Sequence, residues 1–120
     1  MMSDDTQSFQ LGEKIADMMA YAYPVLAQFP KGEKFGLAVD IKRLMDELLG
    51  YAIMARKKYT KTTTLQNMDI CNEKLKNYVR LAMKLRFISI HTYEVWEAKV
   101  VEIGKMIGGW LKTVNSRSQS

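Results

Sequence analysis

Apolar residues recur along this chain at steps of three and four almost without interruption, and no stretch alternates with a period of two. That regularity restricts the fold to packed helices, because three and four are the spacings that place side chains on one helical face. The first series is Leu11, Ile15, Met18, Ala22, Val25 and Phe29, and the second is Phe35, Ala38, Ile41, Met45, Leu48, Ala52, Ala55 and Tyr59. The third is Leu65, Met68, Cys71, Leu75, Tyr78, Ala82 and Leu85; the fourth is Tyr93, Trp96, Val100, Ile103, Ile107, Trp110 and Val114. Phe29-Pro30-Lys31-Gly32 divides the first from the second, since a residue before proline avoids helical geometry. Thr60–Thr64 divides the second from the third, with Thr63 and Gln66 at capping-box spacing. Phe87-Ile88-Ser89 precedes the fourth, with Ser89 placed as its N-cap. Pro24 is expected to kink the first helix or end it early. The reading is all-α, with helices over roughly 8–28, 31–60, 64–86 and 90–113 and fraying at 1–6 and 115–120. Three short connections predict an antiparallel up-down-up-down four-helix bundle forming one domain over residues 1–120.

Side-chain chemistry argues against an enzyme. One cysteine and one histidine exclude an internal disulfide framework, a cysteine-rich zinc site and a multi-histidine metal site within one chain. A bundle di-iron centre needs two Glu-x-x-His pairs, whereas here His91 precedes Glu94. Cys71 lies on the apolar stripe and reads as a small hydrophobe, and His91 reads as a surface or capping residue. Gly104, Gly108 and Gly109 interrupt a helical pattern and do not form a phosphate-cradling loop after a strand. No nucleophile pairs with a base by spacing. No catalytic residue, metal, cofactor or small-molecule substrate is therefore expected. Apolar runs fall far short of the 18 or so residues of a membrane span, and Met1-Met2-Ser3-Asp4-Asp5 lacks the order of a signal peptide. A cytoplasmic location away from membranes is the expectation.

Charge carries more information. Residues 1–55 hold five Lys/Arg against eight Asp/Glu, and residues 56–120 hold thirteen against five. The excess concentrates in residues 56–86, where Arg56, Lys57, Lys58, Lys61, Lys74, Lys76, Arg80, Lys84 and Arg86 face only Asp69 and Glu73. Lys76, Arg80 and Lys84 follow at four-residue steps and are expected to face outward, opposite the apolar stripe. Together with the cations at the end of the second helix they offer a phosphate-tracking surface. The alternative is a solvated face that keeps a protein-only interaction module soluble.

The fourth helix raises a different question. Three glycines there cost about 3 kcal/mol relative to alanine, so either another backbone approaches closely or the helix bends. Val95 and Met106 widen its apolar arc. Trp96, Gly104, Gly108, Gly109 and Trp110 are accordingly candidates for a homo-oligomer interface.

Two signatures carry a family resemblance. Phe29-Pro30-Lys31-Gly32-Glu33-Lys34-Phe35-Gly36-Leu37, running on to Asp40-Ile41-Lys42-Arg43, resembles the helix 1–2 junction of small bacterial four-helix-bundle proteins. That family includes the proteins of ribosomal RNA intervening sequences and the accessory variability determinant (Avd) proteins of diversity-generating retroelements. Tyr93-Glu94-x-Trp96, Glu102-Ile103-Gly104-Lys105-Met106-Ile107-Gly108-Gly109-Trp110-Leu111-Lys112 and Leu81-Ala82-x-x-Leu85-Arg86-Phe87-Ile88-Ser89 resemble the Avd branch. Leu49-Gly50-Tyr51-Ala52-Ile53-Met54 stands where the intervening-sequence branch has an Asn-Ile-Ala-Glu-Gly-like element. The resemblance spans about residues 11–113. It implies a non-catalytic accessory protein that assembles as a pentameric barrel. Such a protein associates with the retroelement reverse transcriptase and binds RNA, an RNA–DNA hybrid or DNA during mutagenic retrohoming. The nucleic-acid-binding residues it implies are Arg56, Lys57, Lys58, Lys61, Lys76, Arg80, Lys84 and Arg86, with Lys105 and Lys112 as secondary contacts. An intervening-sequence-type member of unknown role is the other possibility within the family.

Overall fold

A computed structural model describes residues 2–119, with side chains described as far as Arg117. It has four helices: α1 (Asp4–Ala27), α2 (Leu37–Lys57), α3 (Thr62–Lys84) and α4 (Ile90–Gln119), with one 3-10 turn at Lys31–Glu33. Each helix packs on two neighbours, α1 on α2 and α4, α3 on α2 and α4, so the four close into a square. The bundle measures 51 × 24 × 19 Å. The four stripes meet in one core in which Ile15, Met18, Ile41, Met45, Leu65, Met68, Leu75, Trp96, Val100 and Trp110 are fully buried.

The stripes overreach at their ends. Phe35 and Tyr59, placed on the second stripe by periodicity, are exposed because α2 begins at Leu37 and ends at Lys57. Leu85 is likewise half exposed, one residue past α3. The α1–α2 junction explains the late start of α2. Glu33 folds back so that its Oε2 accepts the Leu37 N–H at 3.3 Å, capping the helix. A Cβ on Gly36 would sit 3.0 Å from that oxygen, so the glycine makes room for the cap. Pro24 does not end α1, which runs on to Ala27. The expected capping box at Thr63 is not formed: α3 starts at Thr62 with no side-chain cap. Ser89 does cap α4, its Oγ accepting the Thr92 N–H at 3.1 Å.

The helices run into both segments expected to fray, α1 from Asp4 and α4 as far as Gln119; Met1 and Ser120 lie outside the described residues. Ser3 caps α1 by accepting the Thr6 N–H at 3.1 Å, and Asp4 and Asp5 stand in the first turn, where acidic groups favour the helix dipole. The α4 helix continues because Val114 is buried and Arg117 reaches back to α1. Asp4 is the meeting point. Its Oδ1 accepts the indole N–H of Trp110 at 3.0 Å and an Arg117 N–H at 2.8 Å, and its Oδ2 accepts a second Arg117 N–H at 3.2 Å. The Lys61 Nζ lies 3.7 Å from Oδ2.

The Arg117 hydrogen bonds hold the Asp4 carboxyl below the ordinary carboxylate range, against the opposing effect of burial. A lowered carboxylate pKa stabilises the fold above the unfolded value and loses that contribution as pH falls through the folded one. Asp4→Ala is expected to cost about 1–3 kcal/mol, lowering the melting temperature by roughly 3–15 °C. In Asp4→Asn the part of the acid-induced loss below about pH 4 that belongs to this group should vanish; thermal melts across pH 2–7 check both.

Candidate nucleic-acid interface

The antiparallel arrangement sorts the cations by helix end. At one end, α2 finishes and α3 begins, bringing Arg56, Lys57 and Lys58 to the surface. At the other end, the α1–α2 and α3–α4 connections meet, with the Phe29 and Phe87 rings 5.4 Å apart. Lys84 and Arg86 are exposed there, beside Lys31 and Lys34 of the facing connection. The two basic poles are separated by the length of α3, about 33 Å at 1.5 Å per residue. The anticipated single patch is therefore two patches, bridged only along α3.

Arg80 and Lys84 are exposed where periodicity put them, on the same outer face of α3 as Asn77 and Leu81. Lys76 is half-buried, and Arg80 stands close enough to Tyr93 of α4 for its charge to act on that hydroxyl. The Tyr93 hydroxyl donates to Glu97, which pushes its pKa up, and Arg80 opposes the shift. The Lys76–Arg80–Lys84 row thus flanks the α3–α4 seam, tempered by Glu97. Tyr78 and Leu85 lie off the core line, which runs through Leu65, Met68, Cys71, Asn72, Leu75, Val79 and Ala82.

Lys61 leaves the candidate surface altogether. Its ammonium donates to the carbonyls of Ala55 at 2.8 Å, Arg56 at 3.3 Å and Lys58, and its side chain is only 10% exposed. These are the carbonyls that the end of α2 leaves without helical partners. A cation placed on them also meets the negative end of the helix dipole. Lys61 is a structural clamp that fixes the α2–α3 turn. By contrast, Arg56, Lys57 and Lys58 enter no ion pair among the described residues. Lys42, Lys74 and Lys99 lie over the rings of Tyr23, Tyr78 and Tyr21.

On α4, Lys105 and Lys112 are exposed on the outer face with Gly108 and Gly109 between them, and a Cβ on either glycine would meet open space. Gly104 serves the chain's own packing: a Cβ there would come within 3.1 Å of the Asn72 Nδ2, which donates to the Val100 carbonyl at 3.1 Å. Trp96 and Trp110 are 0% exposed inside the core, so neither is presented to a second subunit. Met106 packs against the same core. Cys71 is buried, donates to the Leu44 carbonyl at 3.4 Å, and has its pKa raised to about 12, chiefly by burial. His91 is exposed in the first turn of α4.

The helix junctions, the Gly104 contact and the glycine pair of α4 all lie within a stretch matched by one known family, at residues 9–114. The chain belongs to the bAvd-like family. The resemblance to Avd proteins read from the junction and the fourth-helix signature is thus borne out, and the protein is of the Avd accessory type. The bAvd-like match leaves out Asp4 and Arg117, so the terminal clasp lies beyond it. No curated protein matches the chain. Among the described residues, no helix is long and apolar enough to cross a membrane.

Periodicity gave no signal for Lys31, Lys34 or Asp4, whose roles come from contacts across the bundle. Arg86 did carry a signal, as a cation after the third stripe, but not its backbone state. It closes α3 at φ 63°, with its N–H bonded to the Met83 carbonyl and the Phe87 N–H bonded to the Ala82 carbonyl. That is a Schellman end with arginine where glycine is usual. Arg86→Gly should therefore raise unfolding stability by about 1 kcal/mol, measured as the shift in a urea midpoint.

Proposed function

We propose that this protein is a non-catalytic accessory protein of a diversity-generating retroelement, binding template RNA and its cDNA through its basic poles and holding them near the reverse transcriptase. The observation that carries the reading is the pair of solvent-facing cation groups at opposite ends of the bundle: Arg56, Lys57 and Lys58 at one, Lys84 and Arg86 at the other. Phosphate contact by such groups is independent of sequence and steeply salt-dependent. Arg80 and Lys76 would continue it along the α3–α4 seam, and Lys105 and Lys112 would extend it on α4. A scaffold that holds RNA and polymerase together raises their effective concentration without any chemistry of its own. The left-handed Arg86 fits this reading, because strain kept at an exposed cation points to a role for that cation.

The protein is further proposed to assemble as a homopentamer. The apolar surface that supports this lies on α1 and α2, where Phe9 (68% exposed) and Ile53 (47%) border a groove floored by Gly12, Ala16 and Leu49. The bare Gly108–Gly109 backbone of α4 is a second surface of low relief.

Lys76, Arg80 and Lys84 reversed together to glutamate should lose most RNA affinity with helical content unchanged, and the slope of log affinity against log salt should fall with each phosphate contact removed. Undiminished affinity would remove this row from the binding surface, whereas a wild-type protein with no affinity to titrate would favour a protein-only interaction module with a solvated basic face. Light scattering after size exclusion in moderately high salt should give about five times the 13.8 kDa chain mass; a clean monomer would remove the ring.

A further inference from the structure

We infer that the α2–α3 turn is a stacking site for a single-stranded nucleic-acid base, with Tyr59 as its platform. The inference rests on the proposed nucleic-acid binding and assigns to one pole a preference for unpaired strands. Tyr59 belongs to Lys57-Lys58-Tyr59-Thr60-Lys61, and its side chain is fully exposed. A single exposed aromatic is ordinary on a protein surface. Three further observations set this one apart.

The first is rigidity. The turn leaves α2 at Lys58 in an extended conformation and re-enters a helix at Thr62. Across it, Lys61 binds the carbonyls of Ala55, Arg56 and Lys58 from within and approaches Asp4. The backbone that carries the ring is thus clamped, so little of the loop's conformational freedom remains to be lost when a base lands on the ring.

The second is charge. Lys57 and Lys58 precede the ring, Arg56 lies one residue further back, and none of the three is in an ion pair among the described residues. Phosphates on either side of a stacked base would find cations within a few residues. Asp4, the nearest acid in the neighbouring cavity, is already matched by Arg117, Trp110 and Lys61, so its charge is largely offset.

The third is space. Beside Tyr59 opens a cavity of about 600 Å³ lined by Lys57, Lys58, Thr60, Thr62 and Arg117, at the junction where all four helices end or begin. The aromatics near the Lys76–Arg80–Lys84 row, Tyr78 and Tyr93, are half-buried, so that row suits backbone tracking, while the turn suits stacking. Duplex bases are already stacked on each other and cannot lie on an external ring without unpairing. The site therefore selects single strands.

The test compares wild type, Tyr59→Ala and Tyr59→Phe by fluorescence anisotropy, with labelled oligouridine and with a blunt RNA duplex of the same length. Tyr59→Ala should weaken oligouridine binding by roughly 5- to 150-fold and leave duplex binding unchanged. Tyr59→Phe should keep the wild-type affinity for both. Irradiating the complex with 5-iodouridine-substituted RNA should cross-link the peptide that contains Tyr59. Equal losses on single strand and duplex, or no loss on either, would overturn the stacking site while leaving phosphate binding intact. A wild-type protein that binds neither probe would overturn the nucleic-acid reading itself, and the stacking site with it.

Discussion

Four helix ends converge on one carboxylate. Asp4 opens α1, yet its oxygens take hydrogen bonds from Trp110 and Arg117 of α4 and lie beside Lys61 of the α2–α3 turn. Its side chain is 23% exposed, and the rest of its charge is matched by these donors. The match in turn places its partners. Arg117 keeps the last turns of α4 helical, Trp110 orients in the core with its N–H satisfied, and Lys61 turns inward. Once Lys61 is inward it saturates the carbonyls at the end of α2, and the turn has one shape. That shape decides which cations of the densest basic segment reach solvent.

The charge asymmetry of the sequence thus resolves into two kinds of cation. Some are structural: Lys61 caps a helix, Arg117 clasps the termini, and Lys42, Lys74 and Lys99 lie over tyrosine rings. Others, notably Arg56, Lys57, Lys58, Lys84 and Arg86, are presented at the two ends of a rod about 50 Å long. The separation matters for a polyanion, which a rod with basic ends contacts along its length. It matters less for a compact ligand. The geometry agrees with membership of the bAvd-like family.

The fourth-helix glycines do different jobs despite their common spacing. Gly104 faces inward and admits Asn72, whose amide binds the Val100 carbonyl across the α3–α4 seam. Gly108 and Gly109 face outward, where a Cβ would meet open space. Because only the rotation of the helix in the bundle separates these cases, sequence spacing could not tell an intrachain contact from an open surface. The same ambiguity put Trp96 and Trp110 among interface candidates when both are core.

By itself the sequence determined the fold class, the number of helices, their antiparallel order, most of the core and the family. Each follows from local periodicity, from turn chemistry at Pro30 and Ser89, or from motif residues that stand together in the chain. It misjudged the helix ends, because Phe35, Tyr59 and Leu85 continue the apolar period past the residues where hydrogen bonding stops. Only the tertiary structure decided that the termini are clasped, that Lys61 is a clamp, that the basic residues form two poles, and that Tyr59 stands free beside exposed cations. Most of these properties depend on which side chains meet across long stretches of chain, 28 residues from Asn72 to Val100 and 113 from Asp4 to Arg117. A period read along one helix fixes which face is apolar, but the partner of each polar group is fixed by how the helices are rotated and offset against one another.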